Sequence, residues 1–205
     1  MNNGLVGLTA LSVLLAAGCA PTRPVHYYTL APVSTPAFQL NPAGPTMLVG
    51  VIMTPEFLQD ARIRFRAGSN ETGSYEYHRW VARPGAMVGE SLVHALRASG
   101  RYRRVMEAYS SAAGDYLLRG RLYEFDEVDN PAIQTKISLH LVLIDTKTNR
   151  DVWSHPFERE EPASGKSIEE VVRSMDHNLQ QVVNEAVAEI DRFVAERAAA
   201  PAGGF

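Results

Sequence analysis

The stretch Ile133-Gln134-Thr135-Lys136-Ile137-Ser138-Leu139-His140-Leu141-Val142-Leu143 sets the fold class. Ile133, Ile137, Leu139, Leu141 and Leu143 fall on alternate positions, with Gln134, Lys136, Ser138 and His140 between them. Period-2 alternation places one set of side chains on a core and the other in water, as in an antiparallel sheet with one wet face. Asp115 to Val128 precedes this strand across Asp129-Asn130-Pro131, and Thr146 to Arg150 turns the chain into Asp151 to His155. Three segments joined by short turns predict an antiparallel meander.

Its apolar face needs a cover, and the C-terminal segment supplies one. Ile168, Val171, Val172, Met175, Leu179, Val182, Val183, Ala186, Ile190, Phe193 and Val194 trace one helical stripe. Ser167 and Glu170 have the spacing of a capping box. A shorter helix is predicted over Ala86 to Ser99, with Val88, Leu92, Ala95 and Leu96 on one face and Gly100 as its C-terminal cap. Upstream, Met47 to Met53 is a continuous apolar run suited to a buried strand. Arg62 to Arg66 alternates, Ser74 to Trp80 returns as a hairpin partner, and Arg103 to Met106 is a short strand candidate. The fold class is α+β: an antiparallel sheet with two helices packed on one face.

The N-terminus reads differently. Leu5 to Ala17 is apolar and uncharged over thirteen residues, too short for the ~20 that span a bilayer and within the ~7–15 of a signal-peptide core. Ala16-Ala17-Gly18 then leads to Cys19, the only cysteine in 205 residues. Leu14 to Cys19 resembles the bacterial lipobox, which implies cleavage before Cys19 and acylation of its thiol. No intramolecular disulfide is available to this cysteine, and acylation removes the hazard of a free exported thiol. The chain therefore divides into a signal peptide (1–18), a Pro-rich tether with an edge strand near 26–31 (19–45), the α+β domain (46–197) and a disordered tail (198–205). A net charge of −3 argues against a nucleic-acid partner.

Chemistry-bearing motifs are sparse. His26, His78, His94, His140, His155 and His177 lack metal-ligand spacing, and His140 falls on the wet strand face. No Gly-x-Ser-x-Gly elbow occurs. Ser164-Gly165-Lys166-Ser167 is a linker into a helix cap rather than a phosphate loop, because Glu160 stands where that loop needs its first glycine. Asp126, Glu127 and Asp129 read as a solvated turn. Arg101, Arg103 and Arg104 read as a solvated helix end, with anionic lipid headgroups or an acidic partner as the alternatives. Neither a metal, a cofactor nor catalysis is expected.

In order after the lipobox come Tyr27-Tyr28-Thr29-Leu30, Thr54-Pro55-Glu56-Phe57-Leu58, Arg62 to Arg66, His78-Arg79-Trp80-Val81-Ala82-Arg83-Pro84, Asp115-Tyr116-Leu117-Leu118-Arg119-Gly120 and Val152-Trp153. This ordered set resembles the ABC-type transport auxiliary lipoproteins, the family that includes paraquat-inducible protein C. The resemblance implies a periplasmic domain anchored to the outer membrane through acyl chains on Cys19. It would work beside a mammalian-cell-entry (MCE) domain protein and an ABC transporter that move lipids. An edge strand at Tyr27 to Leu30 offers unpaired backbone groups to another chain. Tyr27, Tyr28 and Trp80 are the expected partner contacts, with an MCE protein or a second copy as partner. The alternatives are a lipoprotein that assists barrel assembly and, from a different class, an anchored envelope hydrolase.

Overall fold

A computed structural model describes residues 23–31, 40–68, 70–108, 113–129 and 131–199. The signal peptide, Cys19 and the residues beyond 199 lie outside it. Three long strands form the backbone of the sheet: β6 (Tyr116–Asp129), β7 (Ile133–Asp145) and β8 (Arg150–Pro162). They make the antiparallel meander read from the sequence, paired from Tyr116↔Asp145 to Asp129↔Ile133 and from Gln134↔Pro162 to Asp145↔Arg150. The last strand runs seven residues past the expected His155. Among the described residues no strand pairs with its other side, so Pro156 costs no ladder bond and the charges from Glu158 to Glu161 guard that edge.

The opposite edge of β6 is divided between two strands. β2 (Thr46–Met53) lies parallel to its first half, from Met47↔Tyr116 to Met53↔Arg121. The chain leaves the sheet through a 3-10 turn, Glu56–Leu58, and returns as β3 (Arg62–Ala67), again parallel to β6 at Phe65↔Glu127 to Ala67↔Asp129. β4 (Glu71–Trp80) pairs antiparallel with β3, and β1 (His26–Tyr28) runs parallel to β4. Helix α1 (Pro84–Ala98) carries the chain back so that β5 (Arg104–Glu107) lies parallel to β2. The fold is α+β, and its eight-stranded sheet is mixed. The parallel pairs are those that local alternation does not encode, because a parallel neighbour needs a crossover rather than a turn.

Helix α2 (Ile168–Ala199) extends to Ala199, so Ala198 and Ala199 are helical rather than part of a tail. The capping box forms: Ser167 N donates to Glu170 Oε2 at 3.1 Å, and Glu170 N donates to Ser167 Oγ at 3.3 Å. Gly100 ends α1 with φ +67°, a left-handed conformation open to glycine at little cost. Both helices cover the same sheet face. Leu118, Leu122, Phe125, Ile137, Leu139, Leu141 and Leu143 are buried there against Leu92, Leu96, Met175, Leu179, Val183 and Ile190. The end of the Pro-rich stretch packs on the domain, with Asn41 N donating to Tyr102 O and Arg103 N to Pro45 O.

The acidic cluster is not a solvated turn. β6 runs through it to Asp129, and Asp126 and Glu127 are only 3% and 4% exposed on opposite faces. Asp126 Oδ1 takes a bond from Arg64 Nε at 3.3 Å, and Glu127 Oε2 one from Tyr75 Oη at 2.8 Å. Burial outweighs these partners and raises both carboxyl pKa values. Tyr75 is pushed up in turn, by burial and then by Glu127.

Two outcomes follow. Leu179→Asp places an unpaired charge at a site 2% exposed and should abolish cooperative folding, read as a lost thermal transition and rapid proteolysis. Glu127→Gln retains an acceptor for Tyr75 and removes the cost of burying a charge. The folded Glu127 binds its proton more tightly than the unfolded one, so raising the pH from its ordinary 4.5 through the raised value costs the wild type stability. Melting curves from pH 4 to 7 should show the variant gaining on the wild type as pH rises. Parallel curves would place no such cost on Glu127.

Candidate functional site

Three-residue β1 sorts its side chains by alternation. His26 and Tyr28 turn towards His78, with ring centroids 5.3 and 5.7 Å away, and Tyr75 meets His78 edge-on at 5.9 Å. Tyr28 Oη lies 2.9 Å from His78 Nδ1 and donates to Glu169 Oε1, in the first turn of α2, at 3.3 Å. Ala31 N donates to Asp176 Oδ1 at 3.0 Å. Burial, then Glu169, raises the Tyr28 pKa above its ordinary 10.0. Tyr28 is thus a clasp between β1 and α2.

Tyr27 points the other way. It is 64% exposed and stands opposite Arg79. Arg23 continues that outward row, its guanidinium 5.8 Å from the ring centroid of Tyr77. Trp80 sits opposite Tyr28 in the register but is 1% exposed, edge-on to Phe125 at 5.6 Å. The expectation that Trp80 meets a partner is therefore corrected: it fills the core against Phe125 of β6. Of the three residues, Tyr27 is exposed, Tyr28 half-buried and Trp80 buried. Cys19 lies outside the described residues.

The remaining flagged groups have structural partners. Arg101 pairs with Asp191 at 3.4 Å, and the same carboxylate accepts from Tyr102 Oη at 2.7 Å. Arg103 donates to Thr46 Oγ1 at 3.2 Å and lies 3.8 Å from Asp115. These contacts tie the α1–β5 loop to α2 and β2, so Arg101 and Arg103 are not free headgroup contacts. His94, His155 and His177 lie near Glu90, Glu189 and Glu161, and His140 is 2.8 Å from Ser154 Oγ. Among the described residues no three metal-ligating side chains converge.

Sequence reasoning missed one surface. On the sheet face away from the helices, Val51, Met53, Phe57 and Tyr123 are 79%, 57%, 47% and 45% exposed. Arg121 lies 5.5 Å from the Tyr123 ring and Arg64 4.5 Å from that of Phe57. The unbroken apolar run Met47 to Met53 concealed it, because the ladder shifts between Val49 and Ile52 and turns Val51 outward. The signal available was the alternation of Arg119, Arg121 and Tyr123 with Leu118, Gly120 and Leu122.

The fold has known counterparts. A crystal structure of a Xanthomonas campestris protein, matched to the family model DUF330, aligns over 86% of this chain and 100% of its own, with a TM-score of 0.77 and 21% identity. A hypothetical protein of Chlamydia trachomatis aligns over 75% and 99%, with a TM-score of 0.53 and 10% identity. At these identities the likeness establishes the fold alone. No curated protein matches the chain. A family model does, over residues 28–187. It starts at Tyr28, the last residue of β1, and ends in α2, taking in β2 to β8. The chain belongs to the family of ABC-type transport auxiliary lipoprotein components.

Proposed function

We propose that this protein is a non-catalytic accessory of an ABC transporter that works with an MCE-domain protein to move lipid, held by acyl chains on Cys19 at the periplasmic face of the outer membrane. The family match over residues 28–187, behind a lipobox cysteine, carries this reading. Ala20 supports the outer membrane, since it is not the aspartate that retains lipoproteins at the inner membrane in enteric bacteria. The tether from Ala20 to His26 spans at most ~25 Å when fully extended, so the domain stays near its membrane and a longer partner has to bridge the periplasm. β1 is the docking element in this reading. Among the described residues it pairs with β4 on one side only, which leaves its other backbone edge for an added strand.

Cys19→Ser should leave the protein unacylated and displaced from the membrane fraction; mass spectrometry of an unmodified, uncleaved Cys19 in the wild type would defeat the anchoring. A photo-crosslinking residue at Tyr27, the outward member of the pair, should capture an MCE-domain protein or a second copy in cells, and one at the inward-facing Tyr28 should capture far less. Equal capture at both positions, or none at Tyr27 together with unaltered envelope permeability on deletion, removes the transport reading.

A further inference from the structure

The outward row at the start of the domain has a composition of its own. Arg23, Val25 and Tyr27 are exposed. Extended chain puts alternate residues on one side, and Tyr77 and Arg79 of β4 lie on that same side, through the Arg23 contact and the Tyr27 register. Arg79 Nε is buried without a hydrogen-bond partner. Among the described residues neither Arg23 nor Arg79 has a carboxylate partner. Arg62 stands opposite Arg79 in the β3–β4 ladder, and the Asp60 carboxylate is taken up by Arg62 at 2.8 Å. The surface is therefore two uncompensated guanidinium groups set among two tyrosines and a valine.

We infer that this row docks on the phospholipid surface of the anchoring leaflet, with Arg23 and Arg79 on phosphate oxygens and Tyr27, Tyr77 and Val25 at the level of the headgroups, while the in-plane backbone edge of β1 beside Tyr27 is left to the partner strand. The inference rests on the proposed acylation of Cys19. Three residues separate Cys19 from Arg23, and the four Cα steps between them reach at most ~14 Å, so the start of the row stays close to the bilayer surface once the anchor is inserted. Its chemistry suits that zone. Guanidinium donors match phosphate oxygens, tyrosine pairs an apolar body with a polar tip, and basic side chains gain from anionic lipid within a Debye length. A lone flexible anchor would let the domain tumble. Two arginines beside it fix which edge faces the bilayer and turn the opposite end of the meander, at Thr148, away.

The test uses the acylated chain in vesicles of phosphatidylethanolamine and phosphatidylglycerol. With Cys19 acylated, Tyr27→Cys and Thr148→Cys each introduce a single thiol for a fluorophore. A headgroup-attached nitroxide should quench the label at position 27 several-fold more than the label at position 148. Arg23→Glu, in an exposed extended segment outside the core, should reduce quenching at position 27 by about half, as should replacing phosphatidylglycerol with phosphatidylcholine. Equal quenching at the two positions overturns the inference, and so does quenching at position 27 that is indifferent both to Arg23→Glu and to anionic lipid. The mass of the Cys19 peptide from the same sample separates the two levels. An acylated Cys19 with equal quenching sinks the docking alone, whereas an unmodified Cys19 sinks the anchoring and the docking together.

Discussion

Burial of one face of the β6–β7–β8 meander beneath α2 is the constraint on which the rest of the molecule depends. Strands of about 13 residues present Ile137, Leu139, Leu141, Leu143 and Phe157 at no more than 3% exposure. Left in water, each would forgo about 1.5–3 kcal/mol. At ~1.5 Å per residue, the 32 residues of α2 run for about 48 Å, enough to follow such strands end to end. Apolar packing alone would tolerate sliding, and polar bonds remove that freedom. Asn178 Nδ2 donates to Thr135 O at 3.0 Å and lies 3.3 Å from Arg159 O, while Ser174 Oγ donates to Glu161 O at 3.0 Å. These groups are buried and find their acceptors only at one setting of helix on sheet.

Once α2 is set, it positions the start of the domain. Glu169 and Asp176, from its first turns, hold Tyr28 and the Ala31 amide. A three-residue strand pairing with one neighbour has little stability of its own, and these bonds supply what the ladder lacks. The element nearest the cysteine is thereby joined to the helix that closes the core.

What could be read from the sequence was short in range. The meander, the α2 stripe, the Ser167–Glu170 cap and the Gly100 terminus each depend on residues within a few positions of one another. The mixed pairing of the sheet was not legible, since β2 and β3 meet β6 more than fifty residues away and no local period records which edge is shared. Asp126 and Glu127 were misread for the same reason. Beside Asn130-Pro131 they look like a turn, and their partners Arg64 and Tyr75 are sixty-two and fifty-two residues distant. Tyr27 and Tyr28 differ in the sequence only by position; pairing with β4 sends one into solvent and the other to His78. Trp80 was ambiguous because a large aromatic at a strand end serves a core and an interface equally well.

The open face of the sheet divides into a paired region and an unpaired one. Over the second half of β6 its charges answer one another: Arg66 lies 2.8 Å from Glu124, Lys136 bridges Glu124 and Glu160 at 3.2 and 3.5 Å, and Arg64 and Arg66 flank Asp126. A network closed on itself has little attraction left for an outside charge, and its value lies in holding β3, β6, β7 and β8 together. Elsewhere on this face the arginines have no such answer. Arg79, Arg119 and Arg121 have no carboxylate partner among the described residues, and Arg121 lies over Tyr123. Uncompensated cations beside exposed apolar side chains contribute little to folding. The second half of β6 is thus held by paired charges, whereas these stretches leave their cations to solvent.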